Sequence, residues 1–273
     1  MKKDLSPSEF RKLCKEAKIT THSSGYCPGY AQANILVLPK QIANDFIGLC
    51  ERNPVPCPLL GKTISGTPHK LDNNDILDDV NFDFRTDLPK YRIFQNGKYL
   101  KETTDVLKEW DLNYHVGFLI GCSFSFEKAL TDAGLPPKNV INKTNVSMYR
   151  TKRQLDPSGI FTDITYVVSM RPYKIKDIPK VRLITKQFKR THGEPIDWGY
   201  DAIERLGVNN IYAPEYGDSC SIDDDEVPVF WGCGVTAQDA ALKIGEKIDG
   251  KIMAHAPGHM LILDIKDSEI NVL

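Results

Sequence analysis

"FLIGCSFSFEKAL", residues 118–130, is an apolar run that reaches Gly-Cys-Ser and passes at once into helical periodicity. An uninterrupted apolar strand that feeds a helix directly belongs to an open α/β sheet, whose strands are covered on both faces. "VPVFWGCGVTAQDAAL", residues 227–242, repeats the pattern around Cys233. In such sheets ligands settle beyond the carboxyl ends of the strands. The helix N-termini there offer unpaired N–H groups and a partial positive charge, which attract carboxylates and lower the pKa of a nearby thiol. Cys122, Ser123 and Cys233 are therefore candidates for catalysis. Gly121 and Gly234 permit a sharp turn and close backbone approach, so they are candidates for substrate contact. Cysteine is also a common small core residue, so inert packing stands beside this reading, and one junction can be chemical while the other is architectural.

Outward from these junctions the chain alternates strand-like and helix-like segments. Ser6-Pro7-Ser8-Glu9 has capping-box spacing, and Phe10, Leu13, Cys14 and Ala17 follow as one helical stripe. A short buried strand at 33–39 leads to a helix with Ile42, Phe46, Leu49 and Cys50 on one face, and prolines 54, 56 and 58 imply a stiff, extended loop. Asn96-Gly97 between two strand-like runs predicts a hairpin, and a helix is expected near 104–110. Residues 145–151 and 162–173 alternate like half-buried strands, a helix stripe follows at 178–188, and 193–199 returns as a strand. The expected architecture is α/β, a three-layer α/β/α main domain (1–142 and 213–273) with a smaller two-layer α/β insert (143–212).

Lys and Arg number 35 against 36 Asp and Glu, which leaves no basic field to hold nucleic acid or an anionic membrane. No apolar run approaches the ~18 residues of a membrane helix, and the first residues lack the apolar centre of a secretory signal. Seven cysteines, an odd count without a CxxC pair, argue against a disulfide framework or zinc ribbon and fit a reducing, cytoplasmic setting. No Walker pattern and no GxGxxG after a strand calls for a nucleotide, and no cofactor is expected.

Arg85, Arg150 and Arg171 lie beside strand-like runs, and a guanidinium fork grips a carboxylate through two parallel hydrogen bonds; structural ion pairs are the competing explanation. His255 and His259 stand four apart, but Pro257-Gly258 forbids the helix that would align them on a metal, so proton transfer by one histidine is the better expectation. Tyr30 and Asn34, just before or within a buried strand, add polar contacts, although Asn34 can equally tidy loop backbone. Asp87 and Glu127 have structural explanations, in a local ion pair and a helix dipole. The partner these groups imply is a small carboxylate or amino acid; a homo-oligomer stays open.

Taken in order, "GYAQAN", "RNPVPCPLL", "RTDLPKYRIF", "FLIGCSFSFEKAL", "NVSMYRT", "VVSMRP", "THGEPI", "EVPVFWGCGVT" and "HAPGHMLILD" resemble the motifs of the hydro-lyase family that includes D-glutamate cyclase. The resemblance spans about residues 25–264, with Cys27 standing where a small apolar residue is expected. It implies a three-layer α/β domain with a smaller insert, and a carbon–oxygen lyase that removes water from a small amino or carboxylic acid, D-glutamate giving 5-oxo-D-proline. It supplies no catalytic set. A thiol-dependent amide or lactam hydrolase and a non-catalytic carboxylate-binding protein are the other classes the residues allow.

Overall fold

The computed structural model describes residues 5–64 and 67–270. From the N-terminus these form α1 (Pro7–Lys15), β1 (Tyr30–Pro39), α2 (Ala43–Arg52), β2 (Leu59–Lys62), β3 (Tyr91–Gln95), β4 (Lys98–Thr103), β5 (His115–Gly121) and α3 (Phe124–Asp132). The chain continues through α4 (Lys138–Asn142), β6 (Ser147–Gln154), β7 (Thr165–Lys174), α5 (Ile178–Thr185), β8 (Asp197–Trp198) and α6 (Asp201–Leu206). It closes with β9 (Glu226–Gly232), α7 (Val235–Ile244), β10 (Lys251–His255) and β11 (Leu261–Lys266).

Local chemistry sets several of these boundaries. Ser6 caps α1 reciprocally: its Oγ accepts from Glu9 N–H at 3.3 Å and its own N–H donates to Glu9 Oε2 at 2.8 Å. Asn96 and Gly97 both take positive φ, 52° and 71°, the conformation a tight hairpin requires between β3 and β4. Two expectations fail locally. Residues 104–110 form a single turn, closed by Trp110 N–H on Val106 O at 2.9 Å, because Val106 N–H is drawn to Arg85 O instead of a helical neighbour. The proline run at 54–58 folds into a turn, with Cys57 N–H on Asn53 O at 3.0 Å, instead of staying extended.

The α/β class holds, and every strand pairing is antiparallel. One sheet runs β2-β5-β1-β10-β3-β4, with β11 also paired to β1; the other runs β6-β7-β9-β8. Both Gly-Cys strands were expected in one open sheet. They lie in two: β5 belongs to the first and β9 to the second. Residues 213–273 divide in the same way, since β9 completes the second sheet while β10 and β11 complete the first.

The same unit is built twice. β5 lies between β1 and β2, and α3 follows it; β9 lies between β7 and β8, and α7 follows it. The helices then cross over. Phe126 and Leu130 of α3 pack with Trp231 and Val229 of the second sheet and with Val181 of α5. Ala237, Ala240, Ala241 and Ile244 of α7 pack with Leu36, Phe118 and Ile120 of the first sheet and Phe46 of α2. Burying a leucine- or phenylalanine-sized side chain contributes about 1.5–3 kcal/mol, so the exchanged helices fasten the two sheets together with the Gly-Cys turns between them.

Candidate functional site

Each cysteine sits where its strand ends and its helix begins, and the crossover aims both at one hollow. Cys122, Ser123, Cys233, Gly234, Asn34 and His255 line it, together with His192 and Asn145. The cavity volume is only about 20 Å³, near what one ordered water needs. None of its lining residues is charged. A hydroxyl three residues past each cysteine ties the first helical turn to the neighbouring strand: Ser125 Oγ accepts from Gln32 N–H at 3.4 Å, and Thr236 Oγ1 from Val167 N–H at 2.9 Å.

The thiols were expected to be partly ionised by the helix N-termini. They are not. Burial pushes Cys122 up to about 12 and Cys233 up to about 11. The helix N–H groups do reach them, Phe124 N–H toward Cys122 and Val235 N–H toward Cys233, and both lower the pKa, but removal of water outweighs them.

Asn34 stands on β1 where the edge changes hands. Leu36 pairs with Ala254 of β10 and Ala33 with Leu261 of β11, so the loop 256–260 leaves the sheet opposite Asn34. Ser23 holds that loop, donating from Oγ to Gly258 O at 3.1 Å and accepting from Met260 N–H at 2.9 Å. Asn34 Nδ2 donates to Gly121 O at 3.0 Å, and a Cβ on Gly234 would overlap the Asn34 carboxamide, so the glycine is required by side-chain contact across the hollow. His255 is buried with Nδ1–H on Ala256 O at 2.8 Å, and burial lowers its pKa to about 4, leaving a neutral ring at the cavity wall.

Ser123 accepts from Arg171 Nη2 at 3.1 Å. Arg171 itself is buried behind Ser123, with Nε and Nη2 on Glu127 Oε1 at 3.1 and 2.5 Å, Nη1 on Ser169 Oγ at 3.2 Å, and its guanidinium 5.0 Å from the Phe126 ring centre. It backs the cavity without lining it. The remaining sequence candidates lie outside. Arg150 makes a two-pronged, exposed pair with Asp239 at 2.7 and 3.0 Å, and Arg85 a two-pronged, largely buried one with Asp83 at 2.9 and 2.8 Å. Tyr30 lies under Lys266 Nζ at 3.3 Å from its ring centre. His259 Nδ1–H turns back to Pro257 O at 2.8 Å, and Gly121 is packed by the backbone of residues 190–191. No group of three metal-ligating side chains occurs among the described residues, and no helix among them is long and apolar enough to cross a membrane.

Sequence reasoning missed His192. It follows the turn after α5 with a left-handed backbone, φ 88°, beside Gly193 at φ 70°. Its Nδ1–H donates to Val55 O at 2.7 Å, which fixes the tautomer, and its Nε2 is buried without a hydrogen-bond partner. Burial lowers its pKa to about 4, against the carbonyls of Val55 and Gly121, which favour the charged ring. The signal was present in "THGEPI", a histidine before a glycine in a turn, but nothing local indicates that Val55 will meet it.

Similar sequences give the family of this chain. A sequence model described as D-glutamate cyclase matches residues 116–264, which takes in both junctions and the loop after β10. The chain belongs to the D-glutamate cyclase family, and the resemblance read from its motifs holds. Among its relatives, "Putative hydro-lyase YcsI" of Bacillus subtilis is 42% identical over 98% of this chain and 100% of its own length. A protein of Staphylococcus haemolyticus, also named "Putative hydro-lyase", is 43% identical over 98% of each chain. One of the same name from Schizosaccharomyces pombe is 42% identical over 95% of this chain and 84% of its own.

Proposed function

We propose that the hollow between the two Gly-Cys turns removes water from a small amino or carboxylic acid, with D-glutamate closing to 5-oxo-D-proline as the first reaction to test. The observation that carries this reading is the convergence of two helix N-termini and two neutral histidines on one water-poor cavity in a chain of the D-glutamate cyclase family. With no charged lining residue and Arg171 neutralised by Glu127, the positive helix ends favour an anionic ligand. A glutamate is larger than the space present, so its entry requires the walls to part.

Ring closure joins the amine nitrogen to the γ-carbon and breaks one γ-carbon–oxygen bond. The ammonium surrenders two protons, and the departing carboxylate oxygen takes both to leave as water. Near-attack geometry supplies much of the rate of such a closure, and groups that take and return a proton supply the rest. A thiol-dependent hydrolase needs a thiolate, and thiols held at about 12 and about 11 weigh against it.

The test is incubation with D- and L-glutamate and a panel of related acids, followed by mass spectrometry for loss of one water. Dehydration of one acid is the expected result. Release of ammonia from a carboxamide in its place would select the hydrolase, and tight binding without turnover a binding protein.

A further inference from the structure

The duplicated unit makes His192 comparable with a second residue. A Cβ on Gly121 would stand 3.0 Å from the carbonyl carbon of Arg190 and 3.1 Å from Thr191 Cα; a Cβ on Gly232 would meet Val55 O at 3.1 Å and Pro56 Cα at 3.3 Å. Each half thus lays a turn against the other half's Gly-Cys junction, 190–191 on Gly121 and 55–56 on Gly232. The next residue in one turn is His192 and in the other Cys57. Cys57 is wholly buried, hydrogen-bonded to Cys50 and absent from the cavity wall. His192 is equally buried and lines the cavity; its Nε2 accepts no hydrogen bond, and the nearby carbonyls of Val55 and Gly121 favour the charged ring. A buried acceptor left without a donor costs about 1–3 kcal/mol, and a histidine with positive φ adds strain of about the same order. Two such costs at one residue, absent from its counterpart, mark a group kept for something outside the chain.

We propose that His192 is the proton acceptor of the site, its Nε2 taking a proton from the substrate nitrogen as the ring closes. This rests on the reading that the hollow is the reaction site. In a cavity without charged lining, the ammonium first passes one proton to the γ-carboxylate, leaving a neutral amine and a neutral acid. The amine attacks the γ-carbon, Nε2 takes the second proton from nitrogen, and the same proton leaves on the hydroxyl oxygen as water, so His192 ends as it began. Val55 O holds Nδ1–H throughout, which aims Nε2 and stabilises the charged ring when it forms. The other groups able to carry charge nearby are Arg171 behind Ser123 with its partner Glu127, His255 and the two thiols; no carboxylate lines the wall. An anionic substrate therefore brings the negative charge that raises the basicity of His192 on binding.

Two replacements separate the roles of the ring nitrogens. His192→Asn keeps a donor for Val55 O and deletes Nε2; Cys57→Ala makes a comparable change at the counterpart turn. His192→Asn is expected to lower kcat about 10²–10⁴-fold with little change in KM, whereas Cys57→Ala leaves kcat within about threefold. A kcat for His192→Asn within about threefold of wild type overturns the assignment while leaving the dehydration intact. A wild-type protein that dehydrates none of the acids overturns both. Should His192→Asn fail to fold, ¹⁵N spectra of the wild-type histidines with D-glutamate decide: a shifted His192 Nε2 resonance upholds the proposal, and an unmoved one at saturating ligand overturns it.

Discussion

Adding a single methyl group at Gly121 or at Gly232 tests the duplicated junction directly, because the two positions match in topology and differ in clearance. At Gly121 the new Cβ overlaps the Arg190 carbonyl oxygen and stands 3.0 Å from its carbon, all of it backbone; at Gly232 the nearest atom is Val55 O at 3.1 Å, followed by the flexible Val55 Cγ1 at 3.2 Å. Overpacking against backbone that must move costs about 3 kcal/mol, and a shift of a few tenths of an ångström about 1 kcal/mol or less. Gly→Ala also returns about 0.4–1 kcal/mol through the unfolded chain. Gly121→Ala is therefore expected to lose about 2–3 kcal/mol and Gly232→Ala close to nothing, a separation of about 4–6 °C in Tm for a chain of this length. The Gly121 change also displaces the turn that carries His192, and an error of about 1 Å there costs about 10²-fold in kcat. Thermal and urea unfolding followed by circular dichroism measure the first effect. Equal losses for the two variants within about 0.5 kcal/mol would refute the packing described for the turns.

Three further outcomes follow from the buried groups. His192 and His255, both lowered to about 4 from 6.5, bind protons more readily unfolded, so each withdraws up to about 1.4 kcal/mol of stability per pH unit as pH falls from 6.5 toward 4; Asp87, raised to about 6 by burial, offsets one of them below pH 6. Urea midpoints should drop between pH 7 and 5, and a flat or rising profile contradicts this. Arg171→Ala strands Glu127 beside buried Ser123 and is expected to cost about 3–5 kcal/mol by chemical denaturation, whereas a loss under about 1 kcal/mol would place the pair in solvent. Thiol titration of the native protein at neutral pH should show half-buried Cys220 reacting first, slowed by the burial that raises its thiol, with Cys122 and Cys233 reacting only on unfolding; prompt alkylation of either would mean an accessible thiolate.

Much of the local structure was legible because its causes are local. The Ser6 capping box, the Asn96-Gly97 hairpin and both strand-to-helix turns depend on neighbours within a few residues, and each formed as read. Cys122, Ser123, Cys233, Gly234, Asn34 and His255 do come together. Partnership between distant segments was not legible: the apolar runs 115–121 and 226–232 look alike, and only their long-range pairing divides them between two sheets. The same limit hid His192, whose anchor is Val55, and misjudged the thiols, since a helix N-terminus is visible in sequence while the loss of water around it is not. Arginines were ambiguous for a related reason. Arg85, Arg150 and Arg171 all read as carboxylate forks, and each found one within the chain, at Asp83, Asp239 and Glu127.

The place of β10 bears on how the chain is made. It lies between β1 and β3, so the hairpin of β3 and β4 joins the rest of its sheet only through a strand translated long afterwards, with Leu36 waiting for Ala254 and Ile93 for Met253. Until residues 251–266 leave the ribosome, β1 presents an unpaired apolar edge, the kind that recruits other nascent chains. Pairings of such long span also fold slowly. A truncation ahead of residue 251 should accordingly yield aggregate instead of a tidy half-protein, and holdase chaperones should be needed most during the final stretch of synthesis.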